Sequence, residues 1–335
     1  MSENKFTTPT EIIELPSQGL VYSESSPLSS GKIEMKYMTA REEDILTNQN
    51  YISKGIVLDE LVKSLIISDI DYEDLIIGDK NAILVAARIL GYGKDYKFNW
   101  GGEEYNIDLT SIKDKPLDTT LFKKGTNEFL FTLPATNINI TFKLLTGKEE
   151  KKINAELDGL KKINKNSSAE LSTRLKYIIT SVNGDREAKT IREFVDNIFL
   201  ARDSRALREY IKEVQPDVDL TFFPTEATKK FQFQLDLTFF GLTPDIVPQV
   251  RSNLFTQIHE IVFHGQGGYD WNTIYNMPIW LRKFTFSKIR EFYEEKNKAQ
   301  KEDLASQSQK IKEGKVDLPS HFKGKLDNNK KAAKY

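Results

Sequence analysis

Residues 231–290 decide the fold. They read FQFQLDLTF (231–239), then LTPDIVPQVRSNLFTQIHEIVFHGQGGYDWNTIYNMP (242–278), then IWLRKFTFSKIR (279–290). Phe231, Phe233, Leu235, Leu237 and Phe239 alternate with Gln232, Gln234, Asp236 and Thr238. A period of two predicts a half-buried strand with its five apolar side chains on one face. Thr243 and Pro244 then suit an N-cap and first helical position. Pro248 either starts a second helix or kinks the first. Val250, Leu254, Ile258 and Ile261 recur at helical spacing and predict a buried stripe. Gly265, Gly267 and Gly268 predict the stop, and Asp270 a cap for a short helix. The Asn276-Met277-Pro278 break should open a last long helix carrying Ile279, Trp280, Leu281, Phe284, Phe286 and Ile289. So many apolar groups require either a core or an interface.

Length and charge set the outer bounds. The chain has 335 residues and a formal net charge of −1 from 48 basic and 49 acidic side chains. A balanced chain has no global attraction to nucleic acid or membrane. It contains no cysteine, which excludes disulfides, thiolate nucleophiles and zinc-thiolate sites. No apolar run approaches the roughly 18–20 residues that span a bilayer, and MSENKFTTPTEIIEL at the start lacks a signal-peptide pattern. The expectation is a soluble protein of a reducing compartment.

Working outward, the pattern predicts an α+β fold, mainly helical with short β-hairpin units, arranged as a multi-part scaffold. Residues 1–95 read as a strand-turn plus helical region. Extended pieces at Glu11–Leu15 and Val21–Tyr22 flank the turn Pro16-Ser17-Gln18-Gly19, and Ile33, Met35 and Tyr37 alternate as a strand. Thr39 with Glu42 makes a capping box. Helices are expected near Leu58–Ile67 and Lys80–Leu90, the latter capped by Asp79 and ended by Gly91. Residues 96–146 read as a small β-rich unit, with a hairpin from Phe129, Phe131 and Leu133 to Ile138, Ile140 and Phe142. Residues 147–215 read as helical. They hold an amphipathic run at Lys148–Ile163, a capping box of Ser167 and Glu170 opening a helix through Ile179, a turn at Asn183-Gly184-Asp185, a stripe of Ile191, Phe194, Val195, Ile198 and Phe199, and a helix capped by Asp203. Residues 216–296 comprise a linker at Pro216–Asp219, the strand and the aromatic-rich helices. Residues 297–335 form a charged helix extension and a basic tail, with six Lys against two Asp after residue 314 and disorder expected there.

Candidate chemistry is sparse. His259 and His264 are five apart, whereas helical metal pairs sit at i, i+4, so packing is the expected role. Asp69-Ile70-Asp71-Tyr72-Glu73-Asp74 starts like an EF-hand, but Asp74 and Lys80 stand where that loop needs Gly and Glu. Gly265-Gln266-Gly267-Gly268 follows a helix and lacks the Lys-Ser/Thr of a P-loop. Acids abound, yet no pair is singled out for glycoside hydrolysis, so a peptidoglycan hydrolase has no positive support. The Lys-rich tail is too weak a signal for a nucleic-acid site. No cofactor or metal is expected. The aromatic run Asp270–Trp280 reads equally as core or as a protein-binding surface. The candidate partner-binding residues are Trp271, Tyr275, Met277, Pro278, Trp280, Leu281 and Phe284.

Four runs carry a family resemblance: ELPSQGLVYSESSPLSSGKIEMKYMTAREEDIL (14–46), IITSVNGDREAKTIREFVDNIFLARDSRALREYIKEVQPDVDL (178–220), FQFQLDLTFFGL (231–242) and YNMPIWLRKFTF (275–286). In these the chain resembles the baseplate hub and hub-assembly proteins of T-even-type contractile-tailed bacteriophages. The resemblance implies a non-enzymatic role in building the baseplate hub, either as a subunit or as a transient assembly chaperone. It implies other hub proteins and the tape-measure protein as partners, with the host cytoplasm and the virion tail as locations. Some similar proteins carry paired cysteines in zinc-ribbon fashion. Here the matching places, near Asn99–Gly102 and Phe223–Thr225, have none, so any ribbon must be held by hydrophobic packing.

Overall fold

The computed structural model describes residues 9–163, 169–222 and 231–312. The fold is α+β, mainly helical with short antiparallel hairpins and, among the described residues, no large sheet or barrel. Strand β1 (Thr10–Glu14) pairs antiparallel with β2 (Lys32–Lys36), Ile13 opposite Ile33. The connection is a folded turn rather than a further strand at Val21–Tyr22. Those two side chains are buried in the main core, and the backbone closes in successive turns from Gln18 to Tyr22. Gly19 has φ +76°, and a Cβ there would meet the Ser29 carbonyl oxygen at 2.4 Å.

Helix α1 (Ala40–Leu46) begins at the expected capping box, with Thr39 Oγ1 accepting from Arg41 N and Glu42 reaching back to Thr39 N. Short α2 (Gln49–Ser53), α3 (Val57–Leu65) and α4 (Ile77–Tyr92) follow. Strands β3 (Asp95–Trp100) and β4 (Glu103–Asp108) form one hairpin. The expected hairpin of β5 (Phe129–Thr132) and β6 (Asn139–Phe142) is present, Phe129 opposite Phe142. Helices α5 (Gly147–Ile163) and α6 (Glu170–Ile178) precede a strand that periodicity misses, β7 (Ile179–Val182), which adds to β6 and completes a three-stranded sheet. The helix opened near Glu170 thus ends one residue before Ile179. The Ser167 half of its capping box lies outside the described residues.

After the turn at Asn183-Gly184 come α7 (Ala188–Asn197) and α8 (Ala201–Val214). Ile191, Phe194 and Val195 are buried as expected. Ile198 lies past the helix end and is exposed. Strands β8 (Thr221–Phe222) and β9 (Phe231–Gln232) are minimal, then α9 (Val247–His264), α10 (Trp271–Tyr275) and the long α11 (Ile279–Lys312) complete the described residues.

The expected strand 231–239 is a correction. Only Phe231–Gln232 pairs, and Leu237–Phe240 is a 3-10 turn. Asp236 accepts from Thr238 N and Gly241 adopts φ +74°, so local capping closes the chain on itself before a ladder can extend. The burial alternation still holds, because Phe233 and Phe239 are buried while Gln232, Gln234, Asp236 and Thr238 are exposed. Helix α9 starts at Val247 with Pro248 in its first turn, not at Thr243-Pro244. The hairpins β3–β4 and β8–β9 meet through rings: Phe98 stacks on Phe231 at 4.8 Å, and Tyr105 meets Phe222 at 5.9 Å.

Asp79 and Asp203 are not caps. Each sits inside the first turn of its helix, wholly buried, and holds a turn from elsewhere in the chain. Asp79 accepts from Ser17 N at 3.0 Å and from the Tyr22 hydroxyl. Asp203 accepts from Ala135 N at 2.7 Å and Thr136 Oγ1 at 2.8 Å, pinning the β5–β6 turn. Gly91 lies inside α4 rather than ending it. Gly93 is the C-cap. One buried cluster runs from Leu15 through Ile279, so the N-terminal hairpin and the start of α11 share a core.

Two tests follow from this packing. A Cβ on Gly78 would lie 1.7 Å from the Pro216 carbonyl oxygen, whereas one on Gly159 meets nothing within 4 Å. Gly78→Ala is expected to destabilise the protein by about 1–3 kcal/mol or more. Gly159→Ala is expected to stabilise by about 0.5–1 kcal/mol, both read by denaturant unfolding. Burial raises the Asp79 carboxyl from 3.8 to about 6, against the lowering effect of Tyr22 and Ser17. A raised acid favours the fold below its unfolded value and loses that contribution as pH rises through about 6. The stability gap between wild type and Asp79→Asn should therefore shift in the wild type's favour by roughly 2 kcal/mol on going from pH 7 to pH 4. A gap independent of pH would refute it.

Candidate functional site

Helix α1 is seven residues long and its acidic face receives the C-terminal helices. Asp44 forms an ion pair with Arg251 on α9 and accepts from the Tyr275 hydroxyl at 2.7 Å. Arg251 also donates to the Asp44 carbonyl at 3.1 Å. Arg41 donates to Asn276 Oδ1 at 3.2 Å, and its guanidinium lies 5.9 Å from the Tyr275 ring centre. Burial and then Asp44 push the Tyr275 hydroxyl up to about 12. Ile279 N donates to Met38 O at 3.0 Å, and Thr39 and Pro278 form an isolated bridge.

The deepest contact is between Arg282 and Glu43. Arg282 is 1% exposed, its Nη2 donates to Glu43, and its Nε and Nη1 have no hydrogen-bond partner among the described residues. Glu42 faces the other way. It pairs with Lys36 at 2.9 Å and accepts from Ser64 Oγ at 2.6 Å. Burial pushes the Glu42 carboxyl up, but Lys36 and the Ser64 and Thr39 hydroxyls outweigh it and hold it below its ordinary value.

This geometry divides the seven candidate contact residues. Tyr275, Met277, Pro278 and Leu281 are half-buried. Tyr275 and Met277 pack on the second apolar cluster, which Ala40 of α1 shares with Leu254, Ile258, Ile261 and Ile274. Trp271, Trp280 and Phe284 are exposed at 45%, 57% and 55%. Trp271 stacks on Phe255, with ring centres 6.1 Å apart and planes 7° from parallel. Two further exposed rings escaped the sequence reading, Phe263 and Phe292. Phe292 continues the i+4 row of Trp280, Phe284 and Lys288, a spacing visible in the sequence. A cleft of about 370 Å³ between α9 and α11 is lined by His264, Tyr269, Phe284, Lys288, Phe292 and Tyr293.

The other candidates resolve into packing. His264 lies against Phe263 and Tyr293, and His259 stacks on Phe263. Among the described residues no group of three or more His, Cys, Asp or Glu is placed to hold a metal. Gly265 caps α9, and its carbonyl accepts from Gly268 N. In the acidic run, Asp71 caps a 3-10 turn and Lys148 bridges Asp71 and Asp74, while Lys63 and Lys151 pair with Glu73. Among the described residues no helix is long and apolar enough to cross a membrane. Residues 313–335, including most of the basic tail, lie outside the described residues.

Breaking the buried pair from one side leaves an uncompensated charge. Glu43→Ala is expected to destabilise the protein by about 3–5 kcal/mol, and Arg282→Met on its own to cost a comparable amount. The double variant Glu43→Leu with Arg282→Met should cost less than either single change, as measured by denaturant titration. Additive single effects would contradict the pairing. No family model, curated protein or solved structure matches this chain.

Proposed function

We propose that this protein is a structural or assembly component of the central hub of a contractile-tail baseplate, acting through protein contacts rather than catalysis. The supporting observation joins sequence to structure. The first and last of the four runs that resemble hub proteins, 14–46 and 275–286, pack on each other through Arg282–Glu43, Tyr275–Asp44, Arg41–Asn276 and Ile279–Met38. Similarity in two runs far apart in sequence thus falls on the two faces of one joint. The exposed rings Trp271, Trp280 and Phe284 beside that joint suit a protein partner, because large aromatic side chains dominate the energetics of such interfaces.

Mass spectrometry of purified phage particles, run beside a pull-down from infected cells, tests the proposal. A few copies per particle identify a hub subunit. Absence from particles with capture of hub or tape-measure protein identifies a transient chaperone. Absence from particles together with no captured tail protein overturns the proposal.

A further inference from the structure

Helix α11 has two faces. Ile279, Arg282 and Thr285 are buried, with Leu281, Ile289 and Tyr293 half-buried. The opposite face presents Trp280, Phe284, Ser287, Glu291 and Glu294 at alternating spacings of four and three, the repeat that keeps one side of a helix toward a neighbour. Lys283 stands beside this row. Along the row the order is directional, aromatic at the N-terminal end, small at Ser287 and acidic at the C-terminal end, where Glu291 and Glu294 make exposed i, i+3 and i, i+4 pairs with Lys288 and Arg290 that a facing Lys283 would have to displace. Among the described residues Lys283 has no carboxylate partner, and its ammonium lies 5.4 Å from the Tyr92 ring centre.

We propose that this face of α11 binds a second copy of the chain, the two helices running antiparallel about a two-fold axis near Ser287. A two-fold contact uses the same patch on both copies, so the patch must complement its own reversal. Reversal about Ser287 sets Lys283 of each copy opposite Glu291 of the other, twice by symmetry. The small Ser287 side chain falls where the helices approach most closely, and the aromatic end of each helix covers the far end of its neighbour. A parallel copy would set Lys283 on Lys283 and Glu291 on Glu291, and like charges opposed across an interface are excluded. The contact spans residues 280–294, about 22 Å of helix at 1.5 Å per residue. That is shorter than a standard interface, so the dimer should be concentration-dependent. The inference rests on reading the Trp280–Phe284 face as a protein-contact surface, and not on the baseplate assignment.

Sedimentation velocity of the full chain, from low to high micromolar, tests it. The wild type should pass from monomer to dimer. Trp280→Glu combined with Phe284→Glu should keep its circular dichroism and remain monomeric, since both side chains already face solvent. Lys283→Glu and Glu291→Lys should each raise the dimer dissociation constant about tenfold or more. Combining those two reversals should restore it. A wild type that stays monomeric, or a combined reversal as weak as the single changes, overturns the inference. A monomer that still captures tail proteins would overturn this inference alone, and a dimer that is absent from particles and captures no tail protein would overturn the baseplate reading alone.

Discussion

The structure depends on one buried ion pair, Arg282 with Glu43, and on the short helix that carries Glu43. Four consecutive charged residues of α1 are each committed. Arg41, Glu43 and Asp44 hold α9, α10 and α11, while Glu42 turns back to Lys36 and Ser64. Taking Arg282 out of water is costly, and two of its nitrogens remain without hydrogen-bond partners among the described residues. The pair therefore adds little to stability over an apolar substitute of similar volume. It selects one docking position, because any displacement of α11 along α1 strands both charges.

The same device recurs at two other helix starts. Asp79 and Asp203 sit in first turns, where backbone N–H groups favour a negative charge. Neither caps its own helix. Each instead grips a turn from a distant part of the chain, at Ser17–Tyr22 and at Ala135–Thr136. Hydrogen bonds of this kind tie short hairpins, too small to be stable alone, to the helical body. The aromatic contacts between β3–β4 and β8–β9 join those two hairpins through rings instead.

What was legible in the sequence was local. The Thr39–Glu42 box, the Asp270 cap, the glycine stop after α9 and the Phe129–Phe142 hairpin depend on neighbours within a few residues, and all are present. In the sequence Asp79 and Asp203 look like caps, because a first-turn acid looks alike whether it binds its own amides or another loop. Strand β7 was missed because its partner, β6, lies about forty residues earlier. The 231–239 segment kept its alternating burial and lost its strand, since side-chain pattern records which face is buried, while pairing needs a free ladder partner. The aromatic run 271–284 held the same ambiguity. Composition marks it as apolar, and only the position of α1 sorts Tyr275 and Met277 inward from Trp280 and Phe284.

Helix α1 joins the N-terminal region and helices α9–α11 into one cooperative body. Native-state hydrogen exchange tests it most directly. Amides of α9 and of the first turns of α11 should share one opening free energy with those of α1 and α4, and Glu43→Ala should lower protection in all of them together. If α9–α11 open well below α1–α4 in the wild type, or if Glu43→Ala loosens only α1, the two regions are separate units.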